Sequence, residues 1–220
     1  MTEALDDIQA KEGESKFLVL RKTPYQGSSL IVAGLSPELG QMGFFIRQPS
    51  QKGQRGFSYF DLFRLLRVNY RKGKGELYYC QEAECLADFS ALASLYENFQ
   101  AACWMAQFAL ANVLPGLAQP RFFQSLLVAL HRLSEQRQSP AAVLTGVCLT
   151  WLEEAGCLDS TALSSSEMAQ CQLLLQMATG GDMPALTEEN WQQLWLWSYT
   201  QLKQCECHTP ETKAAQAPPL

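Results

Sequence analysis

The stretch "KFLVLRKTPYQGSSLIVAGLSPELGQMGFFIR", residues 16–47, alternates apolar segments with turn sequences. Its apolar segments KFLVLRK, SSLIVAG and QMGFFIR are of strand length, and they are separated by TPYQG and SPELG. Proline fixes φ and glycine permits a positive φ, so both separators are typical of turns. We therefore predict three consecutive β-strands over 16–22, 28–34 and 41–47.

The chain after this stretch continues the strand pattern to about residue 80. "YFDLFRLLRVNY" (59–70) fits a helix or a strand in its first half, whereas its second half alternates, with Arg67 and Asn69 opposite to Val68 and Tyr70. "RKGKG" (71–75) then leads into a further strand, "ELYYC" (76–80). Five short strands with glycine-rich turns predict a five-stranded OB-type β-barrel.

Helical patterns replace strands after residue 85. Five helices are predicted, and their starts are marked by Asp88 or Ser90, by Pro120, by Ser139-Pro140, by the capping-box pair Ser164 and Glu167, and by Thr187. The first helix is expected to bury one stripe that comprises Phe89, Leu92, Tyr96, Phe99, Cys103 and Ala106.

The predicted fold class is thus α+β and multidomain, an N-terminal OB-fold barrel followed by an all-α domain. The predicted divisions are a flexible acidic extension (1–15), an OB-fold-like barrel (16–82), an α-helical domain (83–208) and a disordered tail (209–220).

Charge is distributed unevenly between these parts. The net charge of the 220 residues is −5, but residues 16–74 hold eleven basic and two acidic residues, a net charge of +9. Residues 75–220 hold five basic and fifteen acidic residues, a net charge of −10. A basic module in an acidic chain indicates a polyanionic partner such as nucleic acid.

Several classes of site are disfavoured by the motifs. "RKGKGELY" lacks the Ser or Thr of a P-loop and lies between strands, so we interpret it as a hairpin turn with glycines at positive φ rather than a phosphate cradle. No G-x-S-x-G or H-E-x-x-H motif is present, and we predict no catalytic residues and no enzyme. The polar N-terminus does not resemble a secretory signal, so we expect a cytoplasmic protein with reduced cysteines.

Cationic and aromatic residues are interleaved in the barrel region, as in folds that bind single-stranded nucleic acid. The aromatic residues could either stack on bases or fill the barrel, and for Tyr78 and Tyr79 the pattern leaves both alternatives open. The predicted DNA-binding residues are Arg21, Lys22, Arg47, Lys52, Arg55, Arg71, Lys72 and Lys74.

The order of these segments resembles the bacterial RecO recombination-mediator family. In that family the opening strand leads to a Tyr-x-polar-x-x-Leu segment and a turn with a late glycine, which Tyr25, Leu30 and Gly40 match. The loop "RQPSQKGQR" stands where the family has a basic loop, and Leu77, Ala83 and Glu84 match its later L…AE segment. The resemblance covers roughly residues 16–205.

The resemblance implies DNA repair and homologous recombination. It implies binding of single- and double-stranded DNA, annealing of complementary strands, and loading of the RecA recombinase together with RecR on DNA coated by single-strand-binding protein. The acidic C-terminal tail of that protein docks on the helical domain of family members, and Arg121 and Arg132 are the predicted contacts here. It further implies a bacterial, nucleoid-associated location.

Two alternatives accompany this interpretation. Many family members carry a four-cysteine zinc module, but paired C-x₂-C units are missing here, so no cofactor is predicted and zinc is retained only as an alternative. The basic barrel could also serve a protein-interaction scaffold that binds an acidic protein instead of DNA.

Overall fold

The computed structural model describes residues 12–27, 29–47, 59–73, 75–135, 138–158 and 164–211. The chain divides into two compact units. The first unit ends at Ser90 and also includes Val113–Ala118, and the second comprises Ala91–Asn112 and the chain from Gln119 onward. No helix within the described ranges has the length and apolar content needed to span a membrane.

The first unit is a closed five-stranded β-barrel with the strand order β1-β2-β3-β5-β4. Its strands are β1 (Glu12–Tyr25), β2 (Ser29–Ser36), β3 (Gly40–Arg47), β4 (Arg64–Lys72) and β5 (Tyr78–Asp88). The β3–β5 pair is parallel and the other four pairs are antiparallel. This arrangement is that of an OB-fold and confirms the predicted fold class.

Strand β1 closes the barrel because it pairs with two strands. Its first half, Glu12–Leu18, pairs with β4, and its second half, Leu18–Tyr25, pairs with β2, with a register shift between Val19 and Arg21. A bulge of this kind bends a strand and lets it pass from one partner to the next. Gly34 of β2 lies against this bend, where a Cβ atom would overlap the Leu18 carbonyl oxygen.

The barrel core is a cluster of aliphatic and aromatic side chains around Phe44. The Phe44 ring lies 4.8 Å from that of Phe17 and 5.9 Å from that of Tyr78, and Tyr78 lies 5.2 Å from Tyr70. Tyr78 therefore packs inside the barrel. Of the two alternatives for this residue, stacking on bases or filling the barrel, the second is correct. The core members are Phe17, Val19, Val32, Met42, Phe44, Ile46, Phe60, Leu66 and Val68.

Three strand limits differ from the predicted segments. β1 begins at Glu12 and runs through the predicted turn to Tyr25, and β5 continues beyond residue 82 to Asp88. The ambiguous segment turns at Asp61–Phe63 before β4 begins, and Phe63 has a φ of 59° while its amide donates to Val19 O. β1 and β5 are longer than predicted because their added residues pair with neighbouring strands of the closed barrel. A local sequence pattern does not reveal such pairing.

The second unit consists of a 3₁₀ helix (Ser90–Ser94) and five α-helices. The α-helices are α1 (Tyr96–Asn112), α2 (Pro120–Ser134), α3 (Pro140–Glu154), α4 (Ser165–Ala178) and α5 (Glu188–Gln204). Every residue from Ala141 to Leu152 is buried, so α3 is the central helix, and α1, α2, α4 and α5 pack around it.

The starts of α3, α4 and α5 agree with the predicted capping residues. Ser139 accepts a hydrogen bond from Ala141 N, Thr187 accepts one from Asn190 N, and Ser164 and Glu167 form a complete capping box. The start of α2 is capped from another helix, because the Glu154 carboxylate accepts hydrogen bonds from the amides of Arg121 and Phe122.

The predicted buried stripe of α1 is wrong at Tyr96, whose side chain is 72% exposed. The stripe assumed one continuous helix from residue 88 or 90, whereas α1 begins only at Tyr96, after the 3₁₀ helix. A 3₁₀ helix has 3.0 residues per turn instead of 3.6, so the buried face is displaced. The α1 residues that are buried are Asn98, Ala101, Ala102, Trp104, Met105, Ala106, Phe108 and Ala109.

Candidate nucleic-acid interface

A continuous row of side chains crosses the outer surface of the barrel. Successive residues of a strand point to opposite faces, and paired residues in neighbouring strands share a face. The pairings Thr23–Ile31, Ile31–Phe45, Phe45–Tyr79 and Tyr79–Arg71 therefore connect all five strands on one face. Phe44 is fully buried, so its neighbour Phe45 lies on the outer face.

Three aromatic rings on this face contact one another, and we call Tyr25, Phe45 and Tyr79 the aromatic row. The Phe45 ring lies 6.0 Å from Tyr25 and 6.1 Å from Tyr79, both edge to face. Tyr25 is 43% exposed and Tyr79 is 44% exposed, which leaves ring surface free for a ligand. The row therefore offers the kind of exposed aromatic platform on which bases stack.

Cationic side chains border the aromatic row. The Arg71 guanidinium lies 5.7 Å from the centre of the Tyr79 ring, a cation–π geometry. Arg47 follows Phe45 by two residues on the same face, and Arg21 precedes Tyr25 by four residues after the bulge. With Lys72 at the end of β4, all four are exposed. Within the described ranges no carboxylate forms an ion pair with any of them.

Three other basic residues of the barrel, Lys22, Arg64 and Arg67, are paired with acids, whereas Lys16 is exposed and has no ion pair within the described ranges. Arg67 lies on the same face of β4 as Arg71, but its Nη1 is 2.6 Å from Glu84 Oε2 and its Nε is 3.9 Å from Glu14 Oε1. Lys22 Nζ lies 2.7 Å from Asp61 Oδ1, and this hydrogen bond lowers the pKa of Asp61. Apart from Lys16, the unpaired cations of the described barrel are therefore the four near the aromatic row.

The β4–β5 loop is a hairpin connection, as predicted, and its Gly73 amide donates to Leu77 O at 3.0 Å. The prediction of a positive φ is wrong for Gly73. Glycine is needed there for space, because a Cβ atom would lie 2.7 Å from Leu77 O and 2.9 Å from Tyr79 Cε2. In OB-folds the β1–β2 and β4–β5 loops commonly border the nucleic-acid surface, and here they flank Tyr25 and Tyr79.

The predicted DNA-binding residues fall into three groups. Arg21, Arg47 and Arg71 lie on the face of the aromatic row, Lys72 is exposed at the end of β4 opposite the inward-facing Tyr78, and Lys22 is held by Asp61. Lys52, Arg55 and Lys74 lie outside the described residues.

Sequence reasoning did not select Tyr25, which was assigned to a turn. Phe45 was missed as well, although the adjacent pair Phe44-Phe45 in a strand already requires one ring to face outward.

The two arginines predicted for partner binding lie at opposite ends of α2. They are eleven residues apart in sequence, which corresponds to about 16 Å along a helix. Arg121 Nη1 is 2.6 Å from Glu153 Oε2. The Arg132 guanidinium donates to Met177 O at 2.9 Å and to Gly181 O at 2.6 Å, and burial lowers its pKa. Arg132 also lines a small cavity of about 10 Å³ with Ser125 and Met177.

The cysteines do not form a recognisable metal centre in the described part of the chain. All eight are free thiols, and no group of three or more His, Cys, Asp or Glu residues is arranged there to hold a metal. Burial raises the pKa of Cys148 well above its usual value and raises that of Cys205 to about 11. The absence of a cofactor stays a prediction.

Comparison with known protein families gives one match, which coincides with the barrel. Residues 11–89 match the family model described as "Recombination protein O N terminal". No curated protein matches the chain. The match begins beside the first strand and ends one residue after the last, so it covers all five strands. Residues 11–89 are therefore a RecO N-terminal domain, and this domain supports membership of the chain in the RecO family of DNA recombination and repair proteins.

Proposed function

We propose that this chain is a recombination mediator that binds DNA on the outer face of its barrel. The observation that carries the proposal is the coincidence of an exposed aromatic row with four cations that have no described acidic partner. Bases of a single strand stack on Tyr25, Phe45 and Tyr79, each contact contributing about 1–3 kcal/mol. Arg21, Arg47, Arg71 and Lys72 contact the phosphates beside them.

The same surface accounts for annealing of complementary strands. Two DNA strands repel each other through their phosphates, and a strand held against fixed cations presents less net negative charge to its complement. Double-stranded DNA is bound more weakly in this scheme, because its paired bases cannot stack on the row and only the phosphate contacts remain. In this scheme the protein acts by binding, without a catalytic step.

The wider role follows the family resemblance. The chain acts in the bacterial cytoplasm at the nucleoid, binds a RecR-like mediator, and loads RecA on DNA coated by single-strand-binding protein. The acidic tail of that protein docks near Arg132. This residue is favoured over Arg121, because Arg121 is already paired with Glu153 whereas the five N–H donors of Arg132 are only partly used by the two carbonyls.

Two arginines of β4 provide a matched test. Arg71 and Arg67 share a strand and a face, but only Arg67 is paired with acids. We expect Arg71→Ala to weaken binding of a fluorescein-labelled oligothymidine about 5- to 20-fold, as measured by fluorescence anisotropy, while Arg67→Ala changes it less than twofold. A loss of one phosphate contact also reduces the slope of log K against log salt by about 0.7.

The salt series itself tests the binding mode. Four phosphate contacts predict a slope of about −3 for a single strand. Affinity that does not depend on salt, or equal effects of Arg71→Ala and Arg67→Ala, would contradict the proposal.

The alternative scaffold function is separated by Tyr79→Ala. An acidic polypeptide needs the cations but no stacking platform, so it should bind the Tyr79→Ala variant as well as the unaltered chain. DNA should bind this variant at least fivefold more weakly. If an acidic partner binds and oligonucleotides fail to displace it, the scaffold function is the correct one.

A further inference from the structure

An apolar groove of about 530 Å³ lies between α4 and α5 in the second unit. Both helices pack on α3, and few residues of α4 approach α5, so a furrow is left between them. The groove is lined on α4 by Gln170, Leu173 and Leu174, on the connection by Pro184 and Leu186, and on α5 by Asn190, Gln193, Leu194 and Trp197.

The α5 residues that line the groove lie on one face of that helix and form one straight wall of the groove. The α5 residues follow the pattern i, i+3, i+4, i+7, which forms one stripe along a helix. Large apolar surfaces in this groove face solvent, since Leu173 is 57% exposed, Trp197 is 41% exposed and Leu186 is 39% exposed. An apolar furrow between helices, with amide side chains at its edges, has the form that accommodates an amphipathic helix.

The charge around the groove restricts its partner. Residues 164–211 contain six acidic residues and a single basic one, Lys203, and from α2 the Arg132 guanidinium reaches Gly181 O, next to Asp182. Near the groove the exposed acids Asp182, Glu188 and Glu189 outnumber this one cation. Asp182 lies two residues before the lining residue Pro184, and Glu189 directly precedes Asn190. Both acids are exposed, whereas Lys203 lies 4.6 Å above the ring of Tyr199. An acidic segment would thus be repelled here, and a basic one attracted.

We propose that this groove binds a segment of a partner protein that combines apolar anchors with lysine or arginine side chains beside them. Its apolar side chains occupy the furrow between Leu173 and Trp197, and its cations lie near Asp182 and Glu189. The groove lies in the second unit, whereas the proposed DNA surface lies in the first. The groove is apolar with acids beside it, whereas the DNA surface is aromatic with cations beside it. The groove also differs from the contact proposed at Arg132, because it selects against an acidic tail.

Trp197 makes direct detection of an occupant possible. The other four tryptophans are at most 6% exposed, so collisional quenching by acrylamide reports mainly on Trp197. The probe is a synthetic amphipathic helical peptide without aromatic residues, with leucine at positions i, i+3, i+4 and i+7 and lysine elsewhere. A second peptide carries glutamate in place of every lysine. We expect the lysine peptide to protect Trp197 from acrylamide in the full chain, and to bind at least tenfold more tightly than the glutamate peptide.

Variants of exposed residues supply the controls. Leu173→Ala should weaken binding of the lysine peptide about tenfold. Leu196→Ala should leave that binding unchanged, because Leu196 is exposed next to Trp197 but does not line the groove. The double variant Asp182→Lys/Glu189→Lys should abolish the preference for lysine. Circular dichroism confirms that each variant is folded.

Three outcomes would overturn the proposal. The first is equal or tighter binding of the glutamate peptide, and the second is a lysine peptide that leaves Trp197 quenching unchanged. The third is a full chain whose Trp197 is already shielded without peptide. In that case the groove is filled by the chain itself or, if shielding increases with protein concentration, by a second copy.

Discussion

Gly34 shows how a single residue permits the barrel to close. It lies at the bend of β1, where a Cβ atom would overlap the Leu18 carbonyl oxygen and lie 2.8 Å from Cζ of the buried Phe17. We expect Gly34→Ala to lower the free energy of unfolding by about 1–3 kcal/mol, the usual range for overpacking, because backbone atoms must move to admit the methyl group. Thermal denaturation followed by circular dichroism measures this change.

Gly43 offers a control for that substitution within the same sheet. Its Cβ position is limited only by Leu77 Cδ2 at 2.8 Å, the end of a flexible side chain that can rotate away. Gly43→Ala should therefore cost much less than Gly34→Ala. Equal losses for the two variants would mean that glycine flexibility, and not the close approach of β1, decides their effect.

Features that depend on residues close in sequence were predicted well, whereas contacts between residues of different strands were not. The alternation that places Arg67 opposite to Val68 and Tyr70 is confirmed by their burial. The difference between Arg67 and Arg71 could not be predicted, because Glu84 and Glu14 reach Arg67 only through the β4–β5 and β1–β4 registers. Charge counting finds cations, but only tertiary pairing identifies those that are still available.

At the scale of elements, the α4 capping box is a local device that can be tested by pH. Ser164 Oγ accepts a hydrogen bond from Glu167 N, while Ser164 Oγ and Ser164 N both donate to Glu167 Oε2. The two hydrogen bonds to the carboxylate lower the pKa of Glu167. Replacing a serine N-cap by alanine typically costs about 1 kcal/mol. For a chain of this length, Ser164→Ala should lower Tm by about 2–4 °C at pH 7.

The sign of the pH dependence follows from the lowered pKa. A carboxylate with a depressed folded-state pKa stabilises the fold above its unfolded pKa, about 4.3 for glutamate, and this contribution is lost as pH falls through the folded value. The Tm difference between Ser164→Ala and the unaltered chain should thus shrink below about pH 4. Ser166→Ala, an exposed position within α4, serves as the control and should change Tm little at any pH. A pH-independent loss would assign the effect to the serine alone.

Helix starts could be predicted because caps depend on residues three apart, as at Ser164 and Thr187. The buried face of α1 could not be extrapolated from Phe89 and Leu92, because the 3₁₀ helix changes the angular step between residues before α1 begins. The capping of α2 by Glu154 is likewise invisible in sequence, since it joins two helices.

At the scale of the whole molecule, the five strands and five helices were predicted from periodicity, but the closure of the barrel was not specified by any segment. Closure depends on β1 changing partners at Leu18, which pairs with both β4 and β2 just before the bulge. The aromatic row depends in turn on closure, because Phe45 meets Tyr79 only through the parallel β3–β5 pair. The residue types of the candidate interface were therefore predictable from the sequence, but their arrangement on one surface was not.

The uneven distribution of charge along the chain predicts binding to polyanions, which the net charge does not. With a net charge of −5 and a pI near 5.1, the chain should be excluded from polyanions at pH 7.5 if its charge were spread evenly. The barrel, residues 12–88, holds eleven basic and eight acidic residues, a net charge of +3, and its unpaired cations are exposed. We therefore expect retention on heparin as well as on an anion exchanger. Arg71→Glu/Lys72→Glu should elute from heparin at clearly lower salt and from the anion exchanger at slightly higher salt. Glu189→Gln should lower the salt needed on the anion exchanger and leave heparin elution unchanged. Flow-through of the unaltered chain on heparin at low salt would show that the basic residues of the barrel are not presented to polyanions.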